Sequence, residues 1–426
     1  MKNRKINILH LFLLMWYPCV LTAQVCTPES YEDLPRLSPK QSAIGMEQDA
    51  FFYSNSLNTS FAYNILMDKY LTKEIKETVN LDKQNYGLMQ ANSTLYFNRK
   101  TQKLFGIDGL GYSFRVSHKE HLFTNFTDDL FILGFFGNKT LAGKEAVLTN
   151  FNYTQMSYQD ITAGLFKNFD MDGNTLTCYL GGSFIKGQKN NLIVFNETTF
   201  YTAPTGTSVD LSASATYKTT DTTRVKLYDF NGMGGSLDMY FSYHNYAKDY
   251  RIDLSITDAG FITWNDNAFT LPVDTTIHFE GKEIEDLFNI TDIGDDLNED
   301  SIVTDIFSKA DTGNYNMMLP ACFHLSYSGN LFGERFRTTF GMNYIYGIRM
   351  RFPYTYLKGY YAFNEVFSAG SQIFYGLYNN IGMGIGCRAN YRDIYRIHFE
   401  IKNIAGMLVP KSACNQNLFV SLSVNI

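Results

Sequence analysis

Asn417-Leu-Phe-Val-Ser-Leu-Ser-Val-Asn-Ile426, the last ten residues, is the stretch whose reading decides the fold. Leu418, Val420, Leu422, Val424 and Ile426 share one face of an extended strand, and Asn417, Ser421, Ser423 and Asn425 share the other, with Phe419 the exception. One face is apolar and the other wet. A strand at the end of the sequence has no following segment to cover its edge, and pairing with an early strand to close a barrel removes that edge. The expectation is the closing strand of an outer-membrane β-barrel.

The same alternation recurs upstream. In residues 208–217, Val209, Leu211, Ala213, Ala215 and Tyr217 alternate with polar residues; in 236–244, Leu237, Met239, Phe241 and Tyr243 do so. Tyr250, Ile252, Leu254 and Ile256, and then Tyr395, Ile397, Phe399 and Ile401, repeat the pattern. The opposite faces collect Asp238, His244, Arg251, Asp253, Arg396, His398 and Glu400, the candidate lumen-facing residues. Further segments near 93, 104, 111, 131, 161, 176, 191, 318, 336, 356, 372 and 381 bring an all-β, antiparallel transmembrane barrel to about fourteen strands.

Composition agrees. The chain holds 35 Phe and 30 Tyr, 16% aromatic with Trp, more rings than a soluble core employs but what interfacial girdles require. Mean hydropathy is −0.19, and past the N-terminus no run of about 18 apolar residues offers a helical span.

Lys2, Arg4 and Lys5, an apolar stretch over 8–21, and Ala23 before Gln24 predict a signal peptide over 1–23. Residues 24–60, with Pro28, Pro35 and Pro39, read as an arm or a plug folded into the lumen, and 61–426 as the barrel. Residues 61–67 suggest a short strand, and 68–79 a short helix or polar loop. Residues 280–311 carry eleven acidic side chains against Lys282 and Lys309, a net −9 within a chain of −6. Apolar residues at helical spacing there predict a long, partly helical outward loop. Five cysteines remain after cleavage, scattered and without a C-x-x-C pair, so neither a disulfide scaffold nor a zinc site is implied.

Asp129-Leu-Phe-Ile-Leu-Gly-Phe-Phe-Gly-Asn138 with Leu141-Ala-Gly143, Tyr158-Gln-Asp-Ile-Thr-Ala-Gly164, Leu180-Gly-Gly-Ser-Phe-Ile-Lys-Gly187, Ser255-Ile-Thr-Asp-Ala-Gly-Phe-Ile-Thr-Trp264 and Ile401-Lys-Asn403 resemble an uncharacterised outer-membrane barrel family of Bacteroidota. That family is distantly similar to fatty-acid-transporter (FadL-like) barrels and to a barrel of the type IX secretion system. The resemblance implies a barrel that binds or passes a hydrophobic or amphipathic solute, inserted by the barrel-assembly machinery among outer-membrane lipid and lipopolysaccharide. In FadL-like barrels a strand kink opens a lateral exit, which the resemblance offers for the bulge or kink at Asp258 and Gly260, against the ordinary reading of a structural kink. The Asn-Pro-Ala plug motif of FadL-like chains is missing; Asn55-Ser56 and Asn58-Thr59 are the nearest matches. Asp221-Thr-Thr, Asp274-Thr-Thr and Asp300-Ser-Ile resemble O-glycosylation motifs. The competing expectation is a non-transporting accessory barrel that docks a secreted or surface protein through the acidic loop.

Other constellations read as structural. His118 and His121, three apart, are polar turn residues rather than metal ligands. The acidic loop lacks the order of a calcium loop. Gly382, Gly384 and Gly386, on an inner face, would let another segment approach closely and so favour an occluded lumen, the alternative being a plain lipid-facing strand around an empty interior. No G-x-S-x-G, P-loop or H-E-x-x-H occurs, so no catalytic residue, cofactor, metal or nucleic-acid partner is expected.

Overall fold

The computed structural model describes residues 29–221, 228–280, 310–348 and 350–426. The expected signal peptide and most of the acidic loop lie outside the described residues, as do Asp300-Ser-Ile and the two threonines after Asp221.

The wall consists of β1 (Ser42–Ser54), β2 (Gln84–Lys100), β3 (Leu110–Thr127), β4 (Asn152–Asp170), β5 (Asn174–Thr202), β6 (Gly232–Asn245) and β7 (Tyr250–Trp264). It continues with β8 (Tyr315–Met318 and Cys322–Gly329), β9 (Phe336–Ile345), β10 (Phe352–Ala362), β11 (Phe367–Leu377), β12 (Asn380–Tyr391), β13 (Tyr395–Ile401) and β14 (Asn415–Asn425). Each strand pairs antiparallel with the next, and β14 returns to β1 with Ala43 opposite Asn425 and Leu418 opposite Ala50. A closed fourteen-strand barrel leaves no open edge in its wall. No described helix is long and apolar enough to cross a membrane.

Side chains alternate across the wall as the pleat requires. Leu418, Val420, Leu422 and Val424 face out, while Asn417, Phe419, Ser421, Ser423 and Asn425 are buried inside. Two outward aromatic belts frame the apolar band. Tyr243, Tyr250, Tyr327, Tyr361 and Phe363 cluster at the end where β1 starts. Phe323 with Tyr344, and Phe352 with Tyr375, cluster at the other end. Phe352 and Tyr361 are nine positions apart on β10, or about 30 Å along the strand, which a tilt of about 40° reduces to roughly 23 Å. That is the height of a hydrocarbon band.

The two ends differ. At the end where β1 starts the turns are short; Asp172 and Gly173, both with positive φ, close one of them in the handedness a two-residue hairpin needs. Among the described residues, the opposite end carries 55–83, 128–151, 203–221, 228–231, 265–280 and 310–314. On that side β3, β4 and β5 run 18, 19 and 29 residues, so one half of the wall stands taller than the rest. Outside the tall half, His118, Glu120, Gln159 and Gln188 form a polar patch above the apolar band.

Several expectations are corrected. After the plug helix α1 (Glu29–Asp33), residues 42–54 of the expected arm are the first wall strand, so the described arm ends at Gln41. Residues 61–67 lie in α2 (Thr59–Leu66) and the residue after it, not in a strand: Asn58 accepts from the Phe61 N–H and caps the helix, and Phe61 buries against Phe131 and Phe135. Past α3 (Lys73–Glu77), the segment near 131 is α4 (Asp128–Phe136), capped by Thr127. The segment near 104 is only the two-residue strand Lys103–Leu104, and those near 176 and 191 are one strand, β5. Residues 208–217 belong to the strand Ser208–Thr219, which with Phe269–Glu280 forms an arm on the upper part of β5, off the closed wall. Cys178, Cys387 and Cys414 are free thiols, whereas Cys322 is disulfide-bonded, which the scattered cysteines did not suggest.

Candidate functional site: a plugged lumen

The lumen is organised by α1 and the short turn Leu34–Arg36 that follows it. Pro35 sits in the first turn, where its missing N–H costs nothing. Tyr31, Leu34 and Leu37 are buried with Ala43, Phe166, Tyr179 and Tyr240, an apolar knot inside an otherwise polar barrel. Tyr31 stacks on Tyr240 at 5.4 Å and tilts against Tyr179 at 4.9 Å, with the Arg115 guanidinium 4.5 Å over its ring. Its hydroxyl donates to Asp238 at 3.0 Å.

Around that knot most of the charges are paired, as burial demands. Arg115 pairs with Asp238, and Lys119 bridges Asp160 at 3.0 Å and Asp258 at 2.6 Å. Arg251 reaches Asp253 at 2.7 Å and Glu32 of α1 at 3.3 Å. Asp33 pairs with Arg396 and accepts from the Tyr96 hydroxyl at 3.1 Å. Lys358 donates to Glu400 at 2.9 Å, and His398 approaches the same carboxylate at 2.8 Å. Asn98 donates to the Ser30 carbonyl at 2.9 Å, and the Ser30 N–H donates to Glu47.

Six of the seven residues expected to face the lumen therefore hold the plug or the network around it. His244 stands apart, half-buried beside Asp249 near the mouth. The sequence reading missed Arg115, Lys119, Asp160, Glu47 and Lys358. Arg115, Lys119 and His121 share one face of β3, a period of two that reading 118–121 as a turn concealed. His118 consequently points outward to Glu120 and Gln159 while His121 is buried against Gln90 and Tyr158, so the two do not converge. No metal-binding cluster occurs among the described residues.

The expected kink is a bulge: the β6–β7 register shifts between Leu237 and Met239, and Asp258 has φ +58°. The bulge turns the Asp258 N–H onto Asp238 at 2.8 Å and its carboxylate inward onto Lys119. The wall stays joined there, since the Leu319 N–H donates to the Gly260 carbonyl at 3.0 Å. Gly382 makes room for Phe374 of the neighbouring strand and Gly386 for Tyr360 two strands away, not for the plug.

Above the plug, toward the long loops, Phe51, Tyr53, Tyr354, Tyr356 and Phe374 fill one side of the lumen, and Met156, Tyr158, Ile262 and Trp264 the other. Cavities of about 70, 80 and 110 Å³ lie beside the plug. Below the plug a vestibule of about 750 Å³ opens at the short-turn end.

The model of a family of unknown function, DUF5723, matches residues 48–395. Curated proteins offer no match. Similar solved structures are barrels: a deletion mutant of the monoaromatic hydrocarbon channel TodX (7% identity, 92% of this chain and 91% of that one, TM-score 0.45) and a FadL homologue of Pseudomonas aeruginosa (8%, 95% and 95%, 0.43). The translocator domain of the autotransporter NalP from Neisseria meningitidis is another (7%, 93% and 91%, 0.37).

Proposed function

We propose that this chain, which belongs to the DUF5723 family of unknown function, is an integral outer-membrane barrel closed at rest by its own N-terminal segment, and that it acts as an accessory platform for a secreted or surface protein. The short-turn end then faces the periplasm and the long segments the exterior, the usual disposition of such barrels. Insertion falls to the barrel-assembly machinery. The observation that carries the reading is the plug: Tyr31, Glu32 and Asp33 are tied to Asp238, Arg251 and Arg396 of the wall across the lumen. A lumen lined by paired charges is a poor path for an apolar molecule.

The second reading, passage of a hydrophobic or amphipathic solute, draws support from the vestibule of about 750 Å³ that leads to the plug. It requires α1 to leave its seat. Planar-bilayer conductance and uptake of a labelled long-chain fatty acid into liposomes separate the two. A closed platform is silent in both; fatty-acid uptake without conductance supports the second reading; steady conductance of the unaltered chain overturns both.

A further inference from the structure

The cavity of about 80 Å³ and the vestibule meet at Arg36, Arg251 and Arg337, which line both. The cavity adds Lys358 and Arg388, and the vestibule Lys100. Facing them in the linings are Glu32, Glu400 and Asp170. Asp253 behind Arg251, Asp249 at 3.6 Å from Arg337, and Asp33 near Arg36 on the plug add further carboxylates beside these cations. Lys358 is engaged by Glu400, and Arg388 donates to His398 at 3.2 Å while lying 4.7 Å over the Tyr360 ring. Arg36 makes no ion pair or hydrogen bond among the described residues. It is exposed to the cavity from the plug side. Ser326, Ser328 and Thr339 add hydroxyl donors to the same lining.

A surplus guanidinium beside further arginines and hydroxyls, in a water-accessible pocket with restricted solvent, is the chemistry that holds a tetrahedral oxyanion. We propose that this pocket, at the inner end of the vestibule, binds inorganic phosphate or a soluble phosphate monoester, with Arg36 as the arm that closes on it from the plug. The site faces the vestibule and not the apolar exterior, so its ligand arrives from the aqueous side. The proposal goes beyond the platform reading and stands or falls separately from it, because binding is measured without reference to conductance or docking.

The test is isothermal titration of the full chain in a neutral detergent, in low-chloride buffer, with inorganic phosphate, with acetate, and with micelles doped with phosphatidylglycerol. Saturable phosphate binding is expected, with acetate at least tenfold weaker and no response to the doped micelles. Arg36→Gln should weaken phosphate at least tenfold, and Arg36→Lys should recover only part of the loss, since an ammonium lacks the planar fork. Heat-modifiable gel migration verifies that each variant is folded; Arg36 lies on the plug and not in the wall, so closure of the barrel does not depend on it. Absence of phosphate binding, binding that Arg36→Gln leaves unchanged, or a response to the anionic lipid alone overturns the proposal.

Discussion

Tyr31→Ala is the sharpest probe of the seal. Tyr31 is 1% exposed, wedged between Tyr179 and Tyr240 beneath the Arg115 guanidinium, and its hydroxyl is bonded to Asp238. Truncating such a buried ring costs about 3–5 kcal/mol, part of it from lost aromatic pairing. That cost falls on the seated plug, while the barrel wall keeps its ladder. At about 1.4 kcal/mol per decade, the unseated population should rise on the order of 10³-fold. Tyr31→Phe removes only the hydrogen bond to a carboxylate, about 1.5–3 kcal/mol, and should raise it roughly 10- to 100-fold. Long planar-bilayer recordings give the open-time fraction, with a deletion of residues 29–37 defining the fully open level. The expected order is deletion, then Ala, then Phe, then the unaltered chain. If the Ala and Phe variants are indistinguishable from the parent while the deletion conducts, the anchoring argument is wrong. If the deletion is itself silent, wall side chains alone close the lumen.

Three further outcomes are expected. Leu422→Asp puts a charge on the outer apolar face at a cost on the order of 1–2 kcal/mol, and should lower folded outer-membrane levels; levels equal to the parent by heat-modifiability would count against the membrane assignment. Gly187→Ala places a methyl about 2.6 Å from the Trp264 ring. The displaced ring should cost about 1–3 kcal/mol and red-shift emission, which after removal of residues 1–23 comes from Trp264 alone; an unmoved spectrum would contradict the packing. In the arm, His278 lies against Asp210 and Glu280, and these carboxylates raise its pKa above the ordinary imidazole value. The pairing therefore supports the arm fully below the ordinary value and is lost as pH rises through the elevated one. Amide protection factors in 208–219, taken against the intrinsic base-catalysed rate at each pH, should fall over that rise, and His278→Gln should remove the fall.

The wall was legible because alternation is a local property: Tyr250 to Ile256 and Tyr395 to Ile401 announce their faces without any neighbour. The same locality misleads at 208–219, where a ribbon standing off the barrel alternates as a wall strand does. Phe61, Tyr63 and Ile65 also alternate, yet the Asn58 cap and the rings of α4 decide for helix, and those lie far apart in the chain. The lumen was legible only by half. Inward charges could be named from phase, but which of them meet depends on barrel closure, as when Lys119 of β3 reaches Asp160 and Asp258. Tyr31 and Glu32 carried no periodic signal, because a plug is recognised by what surrounds it.

The unequal height of the wall gives the outer face a direction. With β3, β4 and β5 rising as a parapet on one side and the turn 378–379 lying low on the other, the rim of the barrel is a fence over one half and an open doorstep over the other. The polar His118 and Glu120 patch lies on the outer side of the fenced half. On the platform reading, a docking protein reaches the mouth more readily from the low side than over the fence.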